Sequence, residues 1–279
     1  MTLKSTGQPE SVGTLPKPRS SSKQRLTRLP WPVRLCLPAF LVLVIPGCTE
    51  ITLQPATHQS DAETAIVDQL KSIPTATLAD AVDGIVGRRG FMNYDMRPVS
   101  LKHRMVGRAK TALFGPSGEL TKEKNLGPAH AVQIIDESGP GDILVVVTGD
   151  LNVTGLGGLM ATTASVRGME GVVVDGAVRD VTEIEALGLS VFSRSISPAT
   201  MLGRSTSLIR DVPIVCGGIT VAPGDYIVGD RDGVVCIPAA QIQGVLIRAL
   251  EMEAAEKKMQ PMIREIKSLQ KVVEQFKRI

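Results

Sequence analysis

The sequence predicts an α/β fold: one domain with a mostly parallel sheet and a helical extension at its C-terminal end. Residues 143–147 and 171–175 are short, continuous apolar runs, as in strands covered on both faces. Helix-forming stretches at 159–166 and 180–187 alternate with them, each closed by a glycine, Gly168 and Gly188. From Ala239 to about Lys277 the chain turns charged and helical, with a break expected near Pro261.

Taken in order, residues 61–70 read as a helix opened by Asp61, acidic in its first turn and stopping before Pro74. A second, short helix covers 77–86 and ends among Gly84 and Gly87. Residues 106–114 alternate enough for a strand. Pro140-Gly141-Asp142 turns the chain into strand 143–147, and a glycine loop from Gly155 to Gly158 opens helix 159–166. Strand 171–175, helix 180–187 and strand 190–194 follow. Beyond Pro213 the pattern changes to short strands at 214–216, 218–221, 226–228 and 234–238, divided by Pro223-Gly224-Asp225 and Asp230-Arg231-Asp232-Gly233. Such punctuation predicts an antiparallel or barrel-like β layer. With no internal repeat, residues 60–279 are expected to form one domain behind a leader of residues 1–59.

Composition narrows the function. The formal charge of +3 is concentrated at the start: residues 1–48 hold seven Lys/Arg and one acid, leaving 24 basic and 27 acidic residues beyond them. A slightly acidic body whose only tryptophan, Trp31, lies in the leader has neither the basic stripe nor the stacking aromatics of a nucleic-acid binder. Aromatic content of 3% requires a core of Val, Ile, Leu and Ala. Cys36 and Cys48 fall in the leader, and Cys216 and Cys236 in apolar runs; without a CxxC or Cys/His spacing, the latter pair reads as small buried hydrophobes rather than zinc ligands.

Residues 1–34 are rich in Ser, Pro and Lys/Arg and are expected to be disordered. The apolar run 35–45 is too short to span a bilayer and has the length of a signal-peptide h-region. Ile45-Pro46-Gly47-Cys48 resembles a bacterial lipobox, although Pro46 replaces the usual small residue. Two readings stand: a membrane-anchored lipoprotein acylated at Cys48, or a cytoplasmic protein extended by a misassigned start.

The candidate site is Gly157-Gly158-Leu159-Met160 together with Arg179, Asp180 and Glu183. Twenty residues separate Gly158 from Arg179, enough for one helix, a turn and one buried strand. A helix opening on two glycines presents free amides and a partial positive charge to a carboxylate or phosphate; the same glycines also suit close helix–strand packing. Arg179 can hold a carboxylate or enolate oxygen bidentately. Asp180 is a hard oxygen ligand for Mg²⁺ or Mn²⁺, and Glu183, one turn on, can hold a water of that ion. The alternative is an ordinary helix start, with Asp180 as N-cap and Glu183 completing a capping box. Asp175, twenty residues after Gly155, mimics the acid of a dinucleotide fold, but Met160 falls where that fingerprint needs its third glycine. Asp175 is expected instead to bond local turn amides. His58, His103 and His130 are scattered without a nucleophile elbow, so no triad is expected.

The spacing Gly158-x20-Arg179-Asp180-x2-Glu183 resembles the signature of the RraA-like family. Asp80-Ala81, Pro140-Gly141-Asp142, the run from Gly171 to Asp180 and Val221-Ala-Pro-Gly-Asp225 resemble it in the same order, over roughly residues 65–265. The resemblance implies a three-layer, swivelling β/β/α-type fold and a ring-shaped homotrimer, with hexamers as paired trimers. It implies 4-hydroxy-4-methyl-2-oxoglutarate aldolase and oxaloacetate decarboxylase activity on a small 2-keto acid. In that picture residues 157–160 bind the pyruvyl group through backbone amides, Arg179 polarises it, and Asp180 holds the metal. Met160 stands where leucine is common. A carboxylate from a neighbour's C-terminal helix, Glu251, Glu253 or Glu256, would complete the site. The family also implies a second class of function, binding and inhibiting the endoribonuclease RNase E without catalysis.

Overall fold

The computed structural model describes residues 61–117 and 127–276. The leader, with Cys48, His58 and the lipobox expectation, lies outside the described residues. No helix among the described residues is long and apolar enough to cross a membrane.

Two helices come first, α1 (Asp61–Ser72) and α2 (Thr75–Val86), then strands β1 (Arg97–Ser100) and β2 (Met105–Pro116). The central units are α3 (Ala129–Glu137), β3 (Asp142–Val147), β4 (Thr154–Leu156), α4 (Gly158–Val166), β5 (Gly171–Val178), α5 (Val181–Leu187) and β6 (Ser190–Ile196). Five short strands follow: β7 (Ser205–Arg210), β8 (Ile214–Cys216), β9 (Ile219–Val221), β10 (Tyr226–Asp230) and β11 (Gly233–Ile237). Helices α6 (Ile242–Ile266) and α7 (Leu269–Phe276) end the described chain.

One sheet runs β1-β6-β5-β3-β2-β10-β11, with β4 added beside β5 and β7 beside β2. Its centre is parallel, from β2 through β3 and β5 to β6, and its margins are antiparallel. Successive residues explain the continuous apolar runs. Leu144, Val146, Val172 and Val174 pack under α3, α4 and α5, while Ile143, Val145 and Val173 face the opposite side. There the β8–β9 hairpin covers them, through Ile214, Cys216, Ile219 and Val221. Both faces of the central strands are therefore dry, which period-two burial in a covered sheet demands. Helices α1, α2 and α6 pack against β10, β11 and the start of β2.

The α/β class and the helical C-terminal end agree with expectation. Several details differ. Strands β10 and β11 are not a separate layer: β10 pairs with β2 and extends the same sheet. Only β8 and β9 stand apart. Strands β1, β4 and β7 and helix α3 add to the expected elements. The C-terminal helix passes through Pro261 and breaks instead at Lys267, which is left-handed at φ 55°. Pro261 is exposed, so water can satisfy the carbonyl that the missing N–H leaves unpaired.

Candidate active site

Strands β4 and β5 run parallel with Leu156 beside Val178, and the Arg179 amide donates to the Leu156 carbonyl at 3.1 Å. The chain therefore leaves both strands side by side. Gly157 leads from β4 into α4, and Arg179-Asp180 lead from β5 into α5. Local sequence reads as a glycine loop before α4, but Thr154–Leu156 pairs as a strand. That pairing brings residues 157–158 and 179–180 together at the carboxyl ends of parallel strands, where open α/β sheets bind ligands.

Asp180 adopts the left-handed conformation, φ 59° and ψ 39°, and its side chain does not cap its own helix. It turns across the gap instead, and Oδ2 accepts a hydrogen bond from the Gly158 amide at 2.8 Å. The ordinary capping-box reading of Asp180 and Glu183 is thus set aside: φ > 0 points the Asp180 side chain away from the α5 amides. Glu183 is exposed and lies above Gly158, where a Cβ would strike its Oε2. Glycine at 158 is what gives that carboxylate room.

Arg179 Nε lies 3.6 Å from Asp180 Oδ2, and both side chains are 40% exposed. The Nε itself is buried without a hydrogen-bond partner, a donor that an incoming oxygen would satisfy. The first bond within α4 runs from the Ala161 amide to the Gly157 carbonyl at 3.0 Å. Helix geometry leaves the Leu159 and Met160 amides without an intrahelical acceptor, at the positive end of the helix. So of the expected amide cradle, the Gly158 amide is engaged by Asp180 and the next two are free for a ligand.

Residues Gly157, Gly158, Leu159, Met160, Arg179 and Asp180 line one cavity of about 290 Å³. Glu183 is not among its lining residues, although it sits beside Gly158. Sequence reasoning missed five further lining residues: Pro128 and Val132 from the start of α3, and Thr200, Met201 and Leu202 from the loop before β7. Helix α3 had a signal, Pro128 followed by buried Ala131, Ile134 and Ile135 at helical spacing. The 200–202 loop has none.

Asp175 is structural, but not through local turn amides as expected. Oδ1 pairs with Arg194 Nη1 at 2.9 Å, and Oδ2 accepts from the Gly217 amide at 2.7 Å. These partners come from β6 and the β8–β9 turn, and they occupy the carboxylate that a dinucleotide ribose would need. Arg194 also donates from Nε and Nη2 to Asp95, and this bond holds Asp95 below the usual carboxylate range. Cys216 and Cys236 are buried as expected, and desolvation pushes both thiols well up. Of the acids on α6, Glu253 accepts from the Thr77 hydroxyl at 3.1 Å and Glu251 pairs with Arg248 at 3.3 Å.

Fold and site together define a three-layer α/β protein with a ligand cavity at the carboxyl ends of two parallel strands. Residues 75–236 match the family described as RraA-like, Aldolase/RraA, and the chain belongs to that family. A Halalkalibacterium halodurans protein provisionally named a 4-hydroxy-4-methyl-2-oxoglutarate aldolase is 34% identical over 196 residues, 70% of this chain and 87% of its own. The solved structure of an uncharacterized Pseudomonas syringae protein superposes with a TM-score of 0.64 at 26% identity, covering 75% of this chain and 96% of that one. RraAS2 of Streptomyces coelicolor, described as an unusual member of the RNase ES inhibitor RraA family, gives a TM-score of 0.60 at 26% identity, covering 69% and 94%. The aldolase-named relative supports reading the site as that of a lyase.

Proposed function

We propose that this protein is a divalent-metal-dependent lyase that breaks the C3–C4 bond of 4-hydroxy-2-keto acids of the 4-hydroxy-4-methyl-2-oxoglutarate type and releases pyruvate. Decarboxylation of oxaloacetate is the related activity, because it passes through the same pyruvate enolate. The observation that carries the reading is the convergence of Arg179, Asp180 and the α4 amides on one cavity.

The donor set suits a hard cation. Asp180 offers a carboxylate, with Glu183 close by, and no group of three or more His, Cys, Asp or Glu side chains forms a metal cage among the described residues. Mg²⁺ fits such a site because it keeps several waters and needs only one or two carboxylates; Mn²⁺ is the alternative. Asp180 would hold it, and when bound it supplies Lewis-acid withdrawal of electrons from the keto group.

The rest is done by the chain. The free Leu159 and Met160 amides bind the acid's carboxylate at the positive end of α4. Arg179 grips the pyruvyl oxygens and stabilises the charge that develops on the keto oxygen. As the C3–C4 bond breaks, its electron pair moves onto C3, the C4 hydroxyl loses its proton, and C4 becomes a carbonyl. Glu183 steers that proton, and its return to C3 gives pyruvate. The working assembly is a homotrimer, alone or paired into a hexamer.

A coupled pyruvate assay tests the reading. Arg179→Ala and Asp180→Ala should each abolish pyruvate formation while leaving the assembly unchanged by size-exclusion chromatography, and unaffected turnover in both refutes the site. The likeness to RraAS2 supports a second reading, a protein-binding regulator that needs only its surface. Pyruvate release that a chelator stops and Mg²⁺ restores favours the lyase; no metal-dependent release favours the regulator.

A further inference from the structure

We propose that Thr148 is a positioning residue: wedged between two bulged glycines, it fixes the register in which β4 and β5 leave the sheet, and so the placement of the α4 amides against Arg179 and Asp180. Its effect on turnover rests on the lyase reading; its effect on geometry does not.

Each strand that feeds the site carries a register shift just before it leaves the sheet. In β4, Thr154 pairs with Ala177 and Leu156 with Val178, so Gly155 is an extra residue. In β5, Val174 pairs with Ser193 and Ala177 with Ser195, so Asp175 and Gly176 together oppose Arg194. Such bulges re-aim the residues that follow them. Here those residues are Gly157 and Gly158 after the first, and Arg179 and Asp180 after the second. The extra Gly155 is what brings Leu156, rather than its predecessor, beside Val178.

One side chain bears on both bulges. A Cβ on Gly155 would lie 2.9 Å from Thr148 Cγ2, where Val174 and Val146 also crowd it, and a Cβ on Gly176 would strike Thr148 Oγ1. Glycine inside a strand marks such close approach. Thr148 directly follows β3 and is 2% exposed, and its β-branched side chain has little rotamer freedom. Its amide donates to the Asp175 carbonyl at 3.0 Å, continuing the β3–β5 ladder. Its hydroxyl donates to the Asp150 carbonyl at 2.7 Å and so holds the loop that leads into β4. From the β8–β9 side, Arg194 and the Gly217 amide hold the Asp175 carboxylate, so the β5 bulge is fixed on both faces. Gly155 lines the cavity and Thr148 does not; the threonine acts on the site through the backbone.

The test reads geometry and turnover in Thr148→Val, Thr148→Ala and Thr148→Ser. Valine keeps the volume, removes the donor and sets a methyl against Gly176; alanine removes both contacts; serine keeps the hydroxyl. Hydrogen-exchange mass spectrometry on peptides covering residues 155–162 follows the Gly158 amide, which Asp180 holds at 2.8 Å. In Thr148→Val and Thr148→Ala it should exchange about tenfold faster, while peptides from α1 and α2 stay unchanged. In the coupled pyruvate assay with Mg²⁺, well below the melting temperature, both should lose about tenfold or more in kcat, because a small misplacement of the reacting groups is costly. Thr148→Ser should keep both readings within about threefold of wild type. A merely structural role lowers the melting temperature and speeds exchange throughout, but leaves turnover per folded molecule unchanged. Wild-type kcat in both variants, an unmoved Gly158 amide, or equal acceleration in α1 and α2 overturns the proposal and leaves the lyase reading standing. No pyruvate from the wild-type protein overturns the lyase reading, and the exchange result alone then decides the role of Thr148.

Discussion

Asp180 and Gly158 are joined by a 2.8 Å hydrogen bond from amide to carboxylate, across 22 residues of sequence. The bond fastens the start of α5 to the start of α4. It also explains why an aspartate tolerates φ 59° here, since that backbone turns the carboxylate toward α4 rather than α5.

Asp180→Asn and Asp180→Ala should separate charge from structure. Asparagine tolerates the left-handed region and can still accept from Gly158, so its melting temperature should stay within about 2 °C of wild type. Alanine loses the acceptor and meets left-handed strain of roughly 1–2 kcal/mol, and should melt several degrees lower. Both should lose about a hundredfold or more in kcat. Equal melting temperatures for the two variants would show that the bond contributes nothing to the fold.

Gly158→Ala places a Cβ against the Glu183 carboxylate. The obstacle is the end of a flexible, exposed side chain, and alanine is favoured over glycine in a helix by about 1 kcal/mol, so stability should barely change. Displacing Glu183 should cost roughly tenfold or more in kcat. In a double-mutant cycle, Gly158→Ala should add little to Glu183→Ala. Additive losses would mean that the methyl group acts on something other than Glu183.

The Arg194 cluster sets an acid limit on stability. Because the hydrogen bond from Arg194 lowers the folded-state pKa of Asp95, the pair stabilises the fold fully above the unfolded pKa of about 3.9. Its contribution is lost as pH falls through the lower folded value. Urea midpoints of the wild type should fall below about pH 4. Asp95→Asn should be less stable at pH 7 and show a shallower acid fall; parallel curves for the two proteins would contradict the linkage.

Cys216 and Cys236 should resist thiol reagents in the native protein. Burial raises both thiols, which suppresses the reactive thiolate as well as access. Maleimide labelling at pH 7.5 followed by peptide mass mapping should find both unmodified until urea is added. Native labelling of either would reveal local opening of the β8–β9 layer.

Much of this was legible in sequence because the signals are local. The apolar runs at 143–147 and 171–175 required strands covered on both faces, and the glycines and acids around 157–158 and 179–183 marked the chain's exits from them. Helix α3 is faint in sequence because it is nine residues long and buries only Ala131, Ile134 and Ile135, too few turns for a clear helical period. Asp175 misled for a different reason: its partners, Arg194 and Gly217, lie 19 and 42 residues away, beyond any local rule.

By itself the sequence determined which chemical groups are present, a guanidinium, two carboxylates and glycine-freed amides, and that strands and helices alternate around them. Tertiary structure alone decided how they meet. The β4–β5 register sets Leu156 beside Val178, the left-handed turn at Asp180 sends its carboxylate to Gly158, and α3 with the 200–202 loop adds to the cavity lining. The physical reason is that strand register and loop closure depend on burial summed over distant segments, which no window of neighbouring residues contains.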